Sequence, residues 1–345
     1  MRDMMYNFEN CDIDIVKAVD NYMPELRNAN SQYISEIIDD IYASKEKYQL
    51  RRYDEYFKYD FINLPDEKRK SFIGGEEYFD YVKSSFDGNY DDCMIFKNKI
   101  DTYNIYKDYY HRDVVGVKNF NDYISFENFA KKNKTFIVKE EMGSLGIDVK
   151  KIALTNSEEI KPVFFSLLQY GGCICEEWIN QCDEFAEFCD TCVNTIRFIS
   201  AFDNGELTRI YAMFRTGRKG SIVDNASMGG IASAVDVESG IVISDGYTKT
   251  NLEHFEKHPD SGKKYKGFQI PRWDELTELV KSLHCLYKKS RFVGWDLTLT
   301  KNGWLLVEGN GKPNFDTIQI INYKTFGHGL RDELINALGK YKNQQ

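Results

Sequence analysis

The sequence predicts an α+β fold in which a helical N-terminal region precedes a larger part rich in strands. Through about residues 12–92, apolar residues recur at helical spacing. From about residue 93 onward, short apolar strands end in turn-forming stretches such as Asp203-Asn204-Gly205. A chain of 345 residues is long enough for one large domain or two ordinary ones, each with a real core.

The composition excludes several classes of function. The chain has 45 basic and 54 acidic residues, and its net charge of −9 is spread along its length, which argues against a nucleic-acid groove or an anionic membrane surface. No apolar run approaches the roughly 18 residues of a membrane-spanning helix, and the first residues lack the apolar core of a signal peptide. We therefore expect a cytoplasmic protein with no membrane insertion and no nucleic-acid partner. The oligomeric state stays open.

Eight cysteines do not indicate a disulfide scaffold in a chain of this size. Five of them cluster between Cys173 and Cys192, and Cys189 and Cys192 have the C-x-x-C spacing of metal ligands. A structural zinc needs four ligands within reach. The sequence favours the alternative of buried, reduced thiols, because the cluster is divided between a predicted strand and a predicted helix.

The helical region, residues 1–92, carries no motif that indicates chemistry. Its apolar positions follow helical spacing in several segments, for example at Ile34, Ile37 and Ile41. We expect it to be a helical cap that packs on the rest of the chain.

The first motif after this region is a strand, Thr135 to Lys139, that runs into a loop with Gly143, Ser144 and Gly146. Glycine lets backbone N–H groups approach phosphate oxygens, and a lysine at the strand end adds a positive charge. The pattern suits a flap over phosphates. An ordinary hairpin with a solvated lysine is the alternative.

The next strand begins at Cys173 and ends in Glu176, Glu177, Trp178 and Ile179. Acids beside an aromatic residue at a strand end suit the edge of an adenine ring, because carboxylate and backbone groups supply hydrogen bonds while apolar walls contact the ring. This interpretation depends on neighbouring motifs.

Three polar residues, Asn194, Arg197 and Arg215, interrupt two otherwise apolar strands. An unpaired cation would be costly there. Either each arginine pairs with an internal acid, or the three residues line a site for anions, and the sequence favours the anion site.

The last hairpin carries three oxygen ligands suited to a hard cation: Asp296 on its first strand, and Glu308 and Asn310 on its second. Glu308 and Asn310 lie two apart and are expected on one face of the strand. Mg²⁺ is usually held by one or two carboxylates together with substrate phosphates. Solvated turn residues are the alternative for all three.

Other well-known motifs are absent from the sequence. It contains no P-loop and no G-x-S-x-G, and the glycines around Gly309 lack the third glycine of a dinucleotide-binding fingerprint. His111-Arg112-Asp113 imitates the protein-kinase catalytic loop, but no D-F-G follows it.

In this order the pieces resemble the ATP-grasp superfamily: lysines with a Gly loop, an acidic strand, arginines, then Asp and Glu-x-Asn. More narrowly, the chain is similar to the sugar-transfer-associated ATP-grasp group found with polysaccharide biosynthesis genes. That similarity covers roughly residues 93–320 and depends on Val193-Asn194-Thr195-Ile196-Arg197, Val223-Asp224-Asn225, His258-Pro259-Asp260-Ser261-Gly262 and Gly294-Trp295-Asp296.

The resemblance implies an ATP-grasp fold, in which two α+β subdomains clasp ATP. It places a small subdomain at residues 93–180 and a C-terminal subdomain at 181–345. Lys99 and Lys139 would contact the ATP phosphates, and the loop with Gly143, Ser144 and Gly146 would close over them.

The resemblance also implies roles for the remaining candidates. Glu176 would take the adenine amino group, Glu177 and Ile179 would offer backbone contacts beside Trp178, and Asp183 would meet the ribose. Mg²⁺ would bind Asp296, Glu308 and Asn310, while Arg197 and Arg215, with Asn194 beside them, would stabilise the transferring phosphoryl group. The acceptor side would include Asp224, Asn225, Gly229, Gly230 and His258, with Asp224 or His258 as a base.

The implied activity is that of an ATP-dependent carboxylate–amine ligase that acts through an acyl phosphate. Its substrates would be a small-molecule acid, such as a sugar acid or saccharide precursor, and an amine or amino acid. Two alternatives remain open: a small-molecule kinase on the same scaffold, and a nucleotide-binding module that regulates a partner without turnover.

Overall fold

The computed structural model describes residues 8, 11–86, 89–143, 149–224, 229–249 and 253–342. The helices are α1 (Ile13–Tyr22), α2 (Ser31–Lys47), α3 (Asp54–Lys58), α4 (Asp66–Arg69), α5 (Gly75–Ser84), α6 (Lys99–Tyr106), α7 (Tyr123–Lys132), α8 (Ile160–Leu167), α9 (Asp183–Ala186), α10 (Trp273–Leu286), α11 (Asp316–Phe326) and α12 (Arg331–Lys342). The strands are β1 (Val114–Val117), β2 (Thr135–Glu140), β3 (Lys150–Ala153), β4 (Cys173–Glu177), β5 (Thr195–Asp203), β6 (Glu206–Thr216), β7 (Ile231–Val235), β8 (Gly246–Thr248), β9 (His254–Phe255), β10 (Phe292–Thr300) and β11 (Gly303–Asn310).

The chain forms two compact units. One, called here the terminal unit, combines residues 1–88 with residues 314–345. The other, the central unit, comprises residues 89–313 and contains both sheets. The predicted α+β class, with helices first and strands after them, is confirmed.

The terminal unit is held together by contacts between residues far apart in sequence. The sequence grouped residues 314–345 with the C-terminal subdomain, whereas in the structure this segment packs on the N-terminal helices. Arg331 makes a two-pronged ion pair with Glu77, at 2.9 and 2.7 Å. The buried Gln319 side chain accepts a hydrogen bond from the Ile73 N–H at 2.7 Å and donates one to the Ile73 carbonyl at 3.0 Å.

The smaller sheet of the central unit has the order β1-β4-β2-β3 and is antiparallel throughout. Helices α7 and α8 contribute to the same core cluster, in which Phe126, Phe136 and Phe164 are almost fully buried. The core side chains alternate along β2 and β4 with Lys139 and Glu176, which therefore lie on the opposite face of the sheet and line the candidate site.

The larger sheet has seven antiparallel strands in the order β11-β10-β5-β6-β7-β8-β9. Phe198, Phe214 and Trp295 belong to the apolar cluster on one face of this sheet, to which α10 also contributes. Side chains alternate between the two faces of a strand, so Arg197 and Asp296 point to the opposite, polar face.

Several predicted elements are confirmed by these bounds. The last hairpin is β10–β11, and the hairpin that turns after Asp203 is β5–β6. The sequence analysis did not predict α11, which directly follows the last hairpin. Within the described ranges, no helix is both long and apolar enough to cross a bilayer.

The buried Gln319 amide gives a first test of the terminal unit. Replacing it in a Gln319→Leu variant leaves the Ile73 N–H and C=O buried without partners, so the free energy of unfolding should fall by about 2 kcal/mol or more. Urea titration measures this loss. Lys324→Gln, at an exposed position on the same helix, is the control and should change stability by less than about 0.5 kcal/mol. Equal stability of the two variants would contradict the anchoring role of Gln319.

Candidate active site

A β-bulge aims Glu308 at the polar face of the larger sheet. Asp296 lies directly opposite Glu308, but its neighbour Leu297 pairs with Leu306, so Val307 is an extra residue in β11. Without the bulge, Leu306 and Glu308 would share a face because they lie two apart. The bulge allows Leu306 to stay in the core while Glu308 joins Asp296, and bulges beside functional sites commonly redirect a side chain in this way.

Gly309 allows a close approach of the chain next to the bulge. A Cβ atom at this position would lie 2.7 Å from the Phe96 ring and 3.2 Å from the Trp295 ring. The two aromatic rings pack edge to face, with their centroids 5.8 Å apart. A glycine is therefore required for Phe96 to pack against β11.

A cleft lies beside β11, which is an edge strand of the larger sheet. It brings together side chains from both sheets and from α6. The lining residues are Phe96, Lys99, Thr102, Tyr110, Lys139, Glu176, Val307 and Glu308. Four of these, Lys99, Lys139, Glu176 and Glu308, are residues that the sequence singled out.

Lys99 is the first residue of α6, and the side chain of Asn98 caps this helix by accepting hydrogen bonds from two backbone N–H groups at 3.0 Å. The ammonium group of Lys99 donates a hydrogen bond to the Gly143 carbonyl. Burial lowers the pKa of Lys99, and the nearby charge of Lys139 lowers it further. The charge of Glu308 raises this pKa but does not outweigh them.

The Glu176 carboxylate is held by two cations. Arg112 donates to one oxygen at 2.9 and 2.6 Å, and Lys139 donates to the other at 2.9 Å. Burial alone would raise the pKa of Glu176, but the charges of Arg112 and Lys139 outweigh it and lower the pKa to about 2. The carboxylate that the resemblance assigned to adenine is thus paired inside the protein.

A second network connects Arg197 and Arg215 with acids on the polar face. Asp296 receives a two-pronged hydrogen bond from Arg197 and two contacts of 3.3 Å from Arg215. Arg215 also donates to Asp224 at 2.7 Å, and Thr195 donates to the same carboxylate. Of the two alternatives for the arginines, the structure therefore shows pairing with internal acids.

Burial sets the electrostatics of this network. Burial opposes ionisation of Asp296, yet the charges of Arg197 and Arg215 outweigh it and lower the pKa of Asp296. The same balance raises the pKa of Arg215, because Asp224 and Asp296 stabilise its charge. Both groups are therefore ionised at neutral pH.

Glu308 differs from the other acids of the site. Its carboxylate accepts no hydrogen bond and forms no ion pair with any residue in the described ranges. Burial raises the pKa of Glu308, the charge of Asp296 raises it further, and Lys139 and Lys99 only partly oppose this. A cation placed beside Glu308 would relieve both effects.

The donor set fits a magnesium ion. Asp296, Glu308 and Asn310 offer oxygen atoms, and strand register puts Asp296 opposite Glu308 and Gly294 opposite Asn310. The Asn310 amide meanwhile donates to the Gly294 carbonyl at 3.4 Å. No group of three His, Cys, Asp or Glu side chains able to hold a metal occurs among the described residues, so such an ion would need ligands beyond these carboxylates.

Two predicted site residues are buried and bonded to the backbone instead. The Asn194 amide donates to the carbonyls of Phe185 and Cys189 at 2.8 Å and accepts from the Gly217 N–H at 3.1 Å. His258 is also fully buried, and its Nε2 lies 2.8 Å from the Gly217 carbonyl. Both side chains position the segment around Gly217 rather than face a cavity.

The last residue of β4 and the predicted site residues that follow it lie outside the lining of the cleft. The Glu177 carboxylate accepts a hydrogen bond from the Asp113 N–H at 3.0 Å. The Lys151 ammonium nitrogen lies 3.5 Å from the centre of the Trp178 ring, and Ile179 is half-buried. Asp183 is exposed in α9 and lies 3.7 Å from Lys301.

The predicted loops are only partly described. Ser144, Gly146 and Asn225 lie outside the described residues. Gly229 has a left-handed conformation with φ of 86°, and the buried Gly230 leads into β7.

The sequence analysis missed Arg112, which it treated only as part of a kinase-like tripeptide. It also gave no role to the cleft residues Phe96, Thr102 and Tyr110. The one available signal was an arginine directly before an apolar strand. No disulfide joins the cysteines of the described residues, and Cys189 and Cys192 are buried with their sulfurs 3.5 Å apart.

Comparison with known proteins places this geometry in a family. The sugar-transfer-associated ATP-grasp model matches residues 93–336. No curated protein matches the chain.

Some solved structures are distantly similar. D-alanyl-alanine synthetase A from Vibrio cholerae is 13% identical, with 74% of this chain and 67% of that chain covered and a TM-score of 0.46. The ATP-grasp ligase PsnB, complexed with a minimal precursor, is 10% identical, with coverages of 73% and 62% and a TM-score of 0.44. D-alanine–D-alanine ligase from Bacillus anthracis, complexed with ATP, is 13% identical, with coverages of 74% and 70% and a TM-score of 0.43.

The packing at Gly309 gives a test of the site's framework. Gly309→Ala forces its new methyl group against the Phe96 ring, so the free energy of unfolding should fall by about 1–3 kcal/mol. The control is Gly339→Ala in α12, where a Cβ meets its nearest neighbour at 3.6 Å and alanine favours the helix. Urea titration compares the two. A Gly309→Ala protein as stable as the control would show that Phe96 can move at no cost.

Glu176 gives a test through pH. Its pKa is lowered from 4.5 to about 2 on folding, so its stabilisation is complete above pH 4.5 and is lost as the pH falls towards 2. Between pH 7 and pH 3, the stability of the unmodified protein should therefore fall by about 2 kcal/mol more than that of Glu176→Gln, and the full difference of about 3 kcal/mol is reached only below pH 2. Parallel pH profiles from urea titration would contradict the double pairing.

Proposed function

The chain belongs to the sugar-transfer-associated ATP-grasp family, and on that premise we propose that it is an ATP-dependent carboxylate–amine ligase acting through an acyl phosphate. One observation carries the proposal. Two lysines, Lys99 and Lys139, line the same cleft as Glu308, an acid whose carboxylate has no partner among the described residues. A nucleoside triphosphate requires cations that bind its phosphates and an acid that can bind its metal ion.

In this proposal Lys99 and Lys139 bind the phosphates of ATP. Each now donates to an acceptor inside the protein, Gly143 and Glu176 respectively, which keeps the ammonium groups at the cleft. The contact of Lys99 with Gly143 keeps Gly143 beside Lys99, which supports the proposed flap over phosphates. The buried position of Lys99 strengthens its attraction to an anion.

Asp296, Glu308 and Asn310 would hold magnesium. When bound, the ion would neutralise charge on the phosphates. Arg197 and Arg215 are already fixed by Asp296 and Asp224, so no reorganisation is needed before they stabilise the negative charge that develops as the phosphoryl group moves. The Asn194 side chain contributes indirectly, by bonding the backbone of Cys189 and of Gly217, which directly follows Arg215 and Thr216 at the end of β6.

The adenine ring would lie along the residues that follow β4. Glu177 and Ile179 remain its candidate backbone contacts, and Trp178 a neighbouring aromatic surface. Glu176 is not assigned to the adenine amino group in this proposal, because its carboxylate is held by Arg112 and Lys139. The proposal does not use Asp183, whose side chain is exposed beside Lys301.

The substrates we propose are a carboxylic acid, such as a sugar acid or saccharide precursor, and an amine or amino acid. Asp224, Gly229 and Gly230 lie where β6 leads into β7, next to Arg215, and would form the acceptor side together with Asn225. Neither acid–base candidate has an unengaged atom for the proton of the amine: both nitrogens of His258 contact backbone groups, and both oxygens of Asp224 accept hydrogen bonds, from Arg215 and Thr195.

The decisive experiment measures ADP release over a panel of acids and amines, comparing the unmodified protein with Glu308→Gln. This variant keeps the size of the side chain and breaks no ion pair, whereas changing Asp296 would remove the acid that pairs with Arg197 and one of the two acids that pair with Arg215. Turnover should fall by about 100-fold or more. Glu238→Gln, at an exposed acid paired with Arg209, is the matched control and should retain full activity.

Product analysis separates the candidate functions. An amide with ADP and phosphate supports the ligase, and a phosphorylated acceptor with ADP supports a kinase instead. Nucleotide binding without turnover on any acid and amine pair would favour a regulatory module. Turnover by Glu308→Gln within a few-fold of the unmodified protein would overturn the proposed role of Glu308.

A further inference from the structure

Arg112 is a buried cation that contacts both sheets of the central unit. Its side chain is only 2% exposed. The guanidinium donates to Glu176 on β4 at 2.9 and 2.6 Å, to the Leu306 carbonyl on β11 at 2.6 Å, and to the Val307 carbonyl at 3.4 Å. It also donates to the Tyr110 carbonyl at 3.1 Å and lies 4.2 Å from the centre of the Tyr110 ring.

The carbonyls that Arg112 contacts belong to an edge strand at its bulge. β11 has a hydrogen-bonded neighbour on one side only, so carbonyls on its free side need other partners. Arg112 supplies them at Leu306 and Val307, immediately before Glu308. Only the planar, five-donor guanidinium can serve a carboxylate and several carbonyls together, so lysine could not replace it.

Arg112 also determines how tightly Glu176 holds Lys139. The two cations share one carboxylate, with Arg112 on Oε2 and Lys139 on Oε1. Without Arg112, Lys139 would be the only cation paired with a buried acid, and such a pair is hard to separate because the carboxylate would be left uncompensated. With Arg112 present, Lys139 can leave Glu176 for a phosphate while Glu176 stays paired.

We propose that Arg112 is a positioning residue of the nucleotide cleft: it neutralises Glu176, so that Lys139 is free to bind phosphate, and it fixes β11 where Glu308 projects. This inference rests on the proposed function, because it assumes that the cleft binds a nucleotide. Arg112 itself does not touch the nucleotide in this account.

The test measures the affinity of the full chain for ADP with magnesium by titration calorimetry. Arg112→Gln should bind about 10- to 100-fold more weakly than the unmodified protein, the range typical of lost outer-shell partners. The double variant Arg112→Gln with Glu176→Gln should recover part of the lost affinity, because the neutral amide no longer holds Lys139, while the Leu306 and Val307 carbonyls still lack the guanidinium. Arg209→Gln, which removes an arginine paired with Glu238 on the larger sheet, is the control and should bind normally.

Urea titration separates positioning from support of the fold. If Arg112 only stabilised the fold, Arg112→Gln would unfold at lower urea but would bind ADP normally under conditions where it is fully folded. Normal binding by Arg112→Gln, or a double variant as weak as the single one, would overturn the inference while leaving the proposed function intact. Absence of ADP and ATP binding by the unmodified protein would overturn both.

Discussion

Pairing of buried charge is the constraint on which the candidate site depends. Taking ions out of water is costly, and a buried ion without a partner is more costly still. The central unit meets this constraint with two networks, one joining Asp296 to Arg197 and Arg215, the other joining Glu176 to Arg112 and Lys139. Each network is built across neighbouring strands, so the sheet register that pairs the backbones also pairs the charges.

Glu308 is an acid of the site that belongs to neither network. The bulge at Val307 turns it to the polar face beside Asp296, and the cations nearest to it, Lys99 and Lys139, are engaged elsewhere. Its raised pKa has a physical cause, since burial and a neighbouring negative charge both disfavour ionisation. Among the described residues, a cation placed beside Glu308 would therefore lower the electrostatic free energy of the site.

Local pattern was enough to predict the elements that carry the site, but not the partners of its side chains. The turn at Lys301-Asn302-Gly303 and the apolar alternation around it predicted β10 and β11, and the cations within apolar strands predicted that Arg197 and Arg215 matter. Two interpretations of those arginines were possible from the sequence, and the anion site was favoured. In the structure, both arginines pair with acids. Asn194 and His258 likewise proved to be bonded to backbone groups.

By itself, the sequence determined the α+β class, the strands with their turns, and the residue types available for phosphate and metal, because these follow from periodicity and local chemistry. Only the tertiary structure decided that residues 314–345 join the N-terminal helices, that a bulge redirects Glu308, and that Arg112 shares Glu176 with Lys139. The reason is that these outcomes depend on contacts between residues far apart in sequence, and a charge finds its partner only after the strands have taken their register.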